Sequence, residues 1–411
     1  MRKESKYMHK KLWNRDFFLI LQGSAVSALG DILYSVAIGY WVYEKTGSSA
    51  LMGVMSSISM FMTMLVMPFS GAVIDKCDRK AVIVGMDGLR GILMLGVGAL
   101  AFADRLHVAA VLGAAFLASA CSVFFEPAVS TLMIDIIPHD DMVRGQSVQE
   151  GVSTAVGLVG KALSGALTAF FGVPVIIFLN GISYLFSAFT ELFIRVPQTK
   201  HQGEKVTVKG VLGDFTAAVR TILRDRFLRL FGPCTLAINL LAAGPMMLML
   251  PFTMEKGFTV EQYGYLMSAQ TAASLICVCL LGVVKLPPRL RYYAMGIGFL
   301  GYLLCSTGAY LATDYAAICI LLFLACFACT LGNSIFNAAL MLALPEENRG
   351  GILGFVGAAS MGGGALSSVV YGVLCDIFPL PLVFLGGNLL ALIPMLHLCL
   401  HKNTKEFILQ H

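Results

Sequence analysis

Three charged side chains, Asp31, Glu126 and Lys161, interrupt long apolar stretches of this chain. At the centre of a membrane helix such a charge costs about 2.5–3.5 kcal/mol on insertion scales unless water or a partner receives it, so each marks a functional group or a buried pair. The chemistry open to an acid in that setting is proton exchange, because a carboxylate whose access to water alternates can load and release a proton. Asp31 lies near the middle of the first apolar stretch. Glu126 precedes Pro127, whose missing N–H frees a backbone carbonyl in the preceding turn. A structural ion pair between Glu126 and Lys161 is the other reading of those two residues. Asp87 and Arg90, three apart on one helical face, read as a self-neutralising pair near the headgroups at the inner end of their stretch.

Other chemistry finds little support. No nucleophile stands beside a base, no paired catalytic carboxylates occur, and no G-x-x-x-x-G-K-[ST] loop suggests ATP. The eleven cysteines lack metal-ligand spacing; Cys277 and Cys279, or Cys326 and Cys329, fall inside apolar helices and read as small core residues. An enzyme is therefore not expected, nor a cofactor or a metal.

The elements that must hold these charges follow from composition. With 57% hydrophobic residues, 13% charged residues and a mean hydropathy of +0.80, a soluble domain of 411 residues could not cover its surface. A bilayer core takes about 20 residues of helix. Twelve apolar segments meet that length, near 17–42, 50–73, 81–103, 107–134, 149–171 and 173–194, then 227–253, 260–284, 292–312, 315–342, 350–376 and 380–400. The expectation is an all-α membrane protein of two six-helix bundles, 1–194 and 226–411, joined by a cytoplasmic linker, 195–225. Within and beside that linker, Val211, Phe215, Val219 and Ile222 recur at helical spacing among Lys209, Arg220 and Arg224, as in a basic amphipathic segment on the inner leaflet. The basic start of the chain leads into an apolar segment too long for a cleavable signal peptide.

Charge sets the orientation. Of the 29 Lys and Arg residues, 24 fall on one side of these spans and only Lys45, Arg105 and Lys256 on the other, which places both termini and the linker in the cytoplasm. The net charge of +5 thus reads as topology, and no nucleic-acid partner is expected. The halves also repeat in the same orientation. Glu44-Lys45 and Gly53 recur as Glu255-Lys256 and Gly264, Pro138 before Arg144 as Pro345 before Arg349, and Pro174 as Pro381.

Between the second and third spans lies Gly71-Ala-Val-Ile-Asp75-Lys76-Cys-Asp78-Arg79-Lys80. This turn resembles the G-x-x-x-D-[RK]-x-G-R-[RK] signature of the major facilitator superfamily, with Asp78 in place of the second glycine. The parallel repeat of six spans fits the same superfamily. Within it, Leu29-Gly30-Asp31, Val42 to Ser48, Phe125-Glu-Pro127-Ala128 and Phe178-Leu-Asn180-Gly181-Ile-Ser183-Tyr184 resemble bacterial exporters of the macrolide-efflux and siderophore-exporter type.

The resemblance implies alternating access, with spans 1, 4, 7 and 10 lining a central cavity. Asp31 and Glu126 then face that cavity, and the repeat counterpart of Glu126 is the neutral Asn333. Lys161 stands where exporters often carry a proline in helix 5, between glycines that keep the helix close to its neighbours. Gly71, Asp75, Lys76, Arg79, Lys80 and Asp135 form a cytoplasmic gate, with Arg79 bridging Asp75 to Asp135 and Asp75 reaching the start of span 11. The expected function is proton-coupled efflux of amphipathic small molecules from the plasma membrane, by a monomer. An importer or lipid flippase of the same fold is the alternative, and a channel fits the two-half repeat less well.

Overall fold

In a computed structural model, residues 12–74, 77–138, 141–195, 226–284, 287–343 and 349–401 are described, and every regular element among them is helical. The first six helices are α1 (Arg15–Thr46), α2 (Ser49–Ile74), α3 (Arg79–Phe102), α4 (Val108–Ile136), α5 (Met142–Phe171) and α6 (Val173–Glu191). The others are α7 (Arg226–Met247), α8 (Met249–Glu255), α9 (Val260–Val283), α10 (Pro288–Leu311), α11 (Tyr315–Ala343), α12 (Arg349–Ile377) and α13 (Leu380–Leu400). Eleven of these are long and apolar enough to cross a bilayer, and the bent pair α7–α8 makes a twelfth span. Large apolar side chains such as Ile92, Leu304 and Ile393 stand exposed along them, the pattern of a lipid-facing surface.

Helix ends follow local chemistry. Asp78 accepts from the backbone N–H groups of Lys80 and Ala81 and so starts α3, while Thr259 and Gln262 form a reciprocal capping box at α9. The sequence suggests an unbroken seventh span; the structure bends it by 49° between α7 and α8. Pro245 and Pro251 are the reason, since each withholds an N–H from the carbonyl four residues earlier. At the first of these, the freed Leu241 carbonyl accepts from the Tyr371 hydroxyl.

In each half the third spanning helix packs on the fourth and on the sixth, α3 on α4 and α6, and α10 on α11 and α13. That recurrence is the parallel repeat. By packing, the described residues of 1–41 and 62–207 form one compact unit, and those of 42–61 and 208–411 form another. The first is built on Phe17, Ile20, Ile83, Phe125, Leu132 and Ile136; the second on Met295, Leu303, Phe336, Ala391 and Met395. The start of α2 belongs to the second unit because it lies tight against α12. Asp376 accepts from the Ser49 amide at 2.6 Å and from the Ser48 hydroxyl at 2.7 Å, and Ser57 donates to the Ala365 carbonyl at 2.6 Å. The linker segment 196–225 lies outside the described residues.

Candidate functional site

The site of the first unit is assembled on three helices. On the face that α1 turns to α6, Gly23, Ser27 and Gly30 follow at helical spacing. α6 answers with Asn180, Tyr184, Ser187 and Glu191, all nearly fully buried. α3 adds Asp87 and Arg90, 0% and 4% exposed. Gly30 is needed here, because a Cβ would collide with the side chains of Asn180 and Ser183.

Asp31, midway along α1, accepts from the Tyr184 hydroxyl and from Asn180 Nδ2 at 3.4 Å. The Arg90 guanidinium lies between two rings, 4.4 Å from the centroid of Phe125 and 4.5 Å from that of Tyr184. It pairs with Asp87 and donates to the Ser122 hydroxyl at 3.3 Å. Ser27 reaches the other Asp87 oxygen at 3.5 Å. A cavity of about 170 Å³ opens on this cluster, lined by Ser27, Asp31, Arg90, Phe125, Glu126 and Glu150 among others. One wall is therefore acidic and hydroxylic, with a flat cation and an aromatic ring beside it.

Two of the four expected cavity residues, Asp31 and Glu126, line this space. Lys161 is half-buried on α5, next to Gly160, whose Cβ position lies within 3.2 Å of Leu29 and Ile32 side-chain atoms of α1. Asn333 is exposed on α11 in the second unit, where its Nδ2 contacts Cys329 Sγ at 3.3 Å. Of the expected gate, Arg79 pairs with Asp135 and Lys80 Nζ donates to the Leu192 carbonyl at 2.7 Å. Gly71 lies in the last turn of α2, while Asp75 and Lys76 lie outside the described residues.

The placement of Asp87 and Arg90 near the headgroups is corrected. The helix begins at Arg79, and with a rise of about 1.5 Å per residue Arg90 sits near its midpoint, buried against Phe125 and Tyr184. Tyr184, Ser187 and Glu191 were not anticipated as site residues. Their signal is present in the chain: Asn180, Tyr184, Ser187 and Glu191 fall at i, i+4, i+7 and i+11, one polar stripe down an apolar helix.

The sequence pattern of the Major Facilitator Superfamily matches residues 20–285 and 234–406. The chain belongs to this superfamily. Among curated relatives, macrolide efflux protein A of Streptococcus pyogenes is 23% identical over 186 residues, 45% of this chain and 46% of the relative, so the chain spans about half of that protein's length. The multidrug efflux pump Tap of Mycobacterium bovis is 22% identical over 379 residues, covering 90% of this chain and 89% of the relative. Among solved structures, the nucleoside transporter NupG superposes with a TM-score of 0.69 at 13% identity, over 92% of this chain and 97% of that one, which establishes the fold alone. Among the described residues, the eleven spans, or twelve with the bent pair, and the superfamily match make this chain a multi-pass membrane protein of the major facilitator fold.

Proposed function

We propose that this transporter exports amphipathic small molecules across the plasma membrane in exchange for protons, by alternating access, with Asp31 as the proton-coupling group. The observation that carries this reading is the setting of Asp31: a carboxylate midway along a membrane helix, on a cavity wall, held by Tyr184 and Asn180 and faced by Arg90. A charge placed there without function would cost about 2.5–3.5 kcal/mol. Glu126 is the second acid of the cavity, and Asn333 is its neutral counterpart in the other half. Relatives with the names macrolide efflux protein A and multidrug efflux pump Tap support export as the direction. The protein acts as a monomer, with both termini in the cytoplasm, and uses neither a cofactor nor nucleic acid.

The Arg79–Asp135 pair belongs to the cytoplasmic gate. From the sequence alone, Gly71, Asp75, Lys76 and Lys80 are assigned to the same gate. An importer or lipid flippase of the same fold is separated by direction. In everted membrane vesicles with an acidic lumen, erythromycin or ethidium accumulates inside and leaks out when nigericin collapses the pH difference. Accumulation that nigericin leaves unchanged would overturn the proton-coupled reading, and uptake only by right-side-out vesicles would reverse the direction.

A further inference from the structure

We infer that Asp87 is a positioning residue for proton exchange: it holds Arg90 out of contact with Asp31 and so leaves Asp31 free to gain and lose a proton. This rests on the reading of Asp31 as the coupling acid and gives a task to a residue that does not itself line the cavity.

The need arises from where the charges lie. Asp31 and Arg90 line the same cavity of about 170 Å³. A carboxylate in contact with a guanidinium holds its charge, because such a pair lowers its proton affinity by about one to three pH units. An acid locked in that way carries no proton. Asp31 is not so locked. Among the described residues it forms no ion pair, and its Oδ1 is met by two neutral donors, the Tyr184 hydroxyl and Asn180 Nδ2.

Arg90 is engaged elsewhere. Its Nη2 binds Asp87 Oδ1, its Nη1 donates to Ser122 Oγ at 3.3 Å, and its guanidinium stands 4.4 Å and 4.5 Å from the Phe125 and Tyr184 ring centroids. Asp87 precedes Arg90 by three residues on α3, so the pair forms within one helix and moves as one body. The second Asp87 oxygen meets Ser27 Oγ of α1 at 3.5 Å, and Asp87 is 0% exposed. Tyr184 completes the arrangement, since one phenol gives its ring to Arg90 and its hydroxyl to Asp31. A buried ion pair is often no better for stability than apolar residues of the same volume, so a pair set beside a coupling acid calls for a task of this kind.

The other groups around Asp31 do not take the place of Asp87. Tyr34 follows on α1, Glu126 comes from α4 and Tyr184 from α6, while α5, packed on α1 at Gly160, carries Glu150 and Lys161. Around Asp87 itself stand Ser27 of α1, Cys121 of α4, and Ser187 and Glu191 of α6. Among the described residues, Asp87 alone of these acids pairs with Arg90. With Asp87 neutral, the guanidinium is buried without a carboxylate while Asp31 stands on the same cavity wall, and a buried charge left alone is costly enough to draw the two together.

The test is a pH titration of the carbonyl stretch of protonated carboxylic acids, read by infrared difference spectroscopy on the full chain in liposomes without cargo. The Asp31 band is the one missing in Asp31→Asn. In Asp87→Asn its midpoint should fall by about one to three pH units, and adding Arg90→Gln should raise it again. An unmoved midpoint in Asp87→Asn overturns the proposal, and so does a fall that Arg90→Gln does not reverse, which would report disturbed packing. If Asp87→Asn does not fold, the wild type decides. Solid-state NMR distances from the Arg90 guanidinium to the Asp87 and Asp31 carboxyl carbons, above and below the Asp31 midpoint, should keep Arg90 on Asp87 at both pH values. Arg90 in contact with Asp31 at the higher pH overturns the proposal. These measurements need no transport, so an unmoved midpoint leaves the coupling role of Asp31 standing, and failure of coupling in the vesicle assay leaves the titration unchanged.

Discussion

The Tyr184 hydroxyl donates to Asp31 while the Tyr184 ring lies 4.5 Å from the Arg90 guanidinium. One aromatic side chain therefore joins the acid of α1 to the cation of α3. Arg90 is flat and can lie between the Phe125 and Tyr184 rings while its edge pairs with Asp87, which a tetrahedral ammonium cannot do.

Removing that cation should be expensive. Arg90→Met leaves Asp87 buried without its partner, which costs about 3–5 kcal/mol. Arg90→Lys keeps the charge but loses the fork and part of the ring contact, a term of about 0.5–2 kcal/mol. Thermal unfolding of purified protein in detergent should rank wild type above Arg90→Lys and Arg90→Met last. Equal stability of the two variants would show that the fork and ring contacts matter there and the charge does not.

The Arg79–Asp135 pair is mostly buried, with 10% and 12% of side-chain area exposed, and on the proposed function it belongs to the cytoplasmic gate. Asp135→Asn and Arg79→Gln should each slow erythromycin efflux with expression unchanged. The exchanged pair Arg79→Asp with Asp135→Arg should recover part of the rate. Additive losses in the double variant would remove the pair from the gate.

Asp376 holds the first amides of α2 as a cap supplied by another helix. Asp376→Ala should lower stability by about 0.5–2 kcal/mol, the usual cost of a lost cap, and Asp376→Asn by less because its oxygen still accepts. Unfolding midpoints in detergent measure both, and an unchanged midpoint for Asp376→Ala would show that water replaces the cap.

Two glycines give a matched comparison. In Gly53→Ala the new methyl would collide with the Ser368 backbone carbonyl, so α2 must move away from α12. Gly85 faces open space on the exposed side of α3, so Gly85→Ala gains helix propensity of about 1 kcal/mol and no clash. The first should destabilise and the second should not.

Much of this was legible in the chain. Asp31 and Glu126 stand out because a single charge in an apolar run has no local explanation. The spans follow from length, and the repeat from recurring pairs such as Pro138 and Pro345. What escaped depends on partners distant in sequence. Asp87 and Arg90 look self-sufficient until Phe125 and Tyr184 close around them. The polar stripe of α6 is diluted by Ile182, Leu185, Phe186 and Phe189 between its members. The break near Leu248 needs two prolines to be counted against the carbonyls they leave unpaired. The Asp376 cap joins residues whose proximity no local pattern announces.

On the proposed function, Asp31 exchanges a proton for cargo. Full-length protein in liposomes holding a trapped pH dye should release protons when erythromycin is added to the wild type. Asp31→Asn should bind erythromycin and release none. Undiminished proton release in Asp31→Asn would contradict the account.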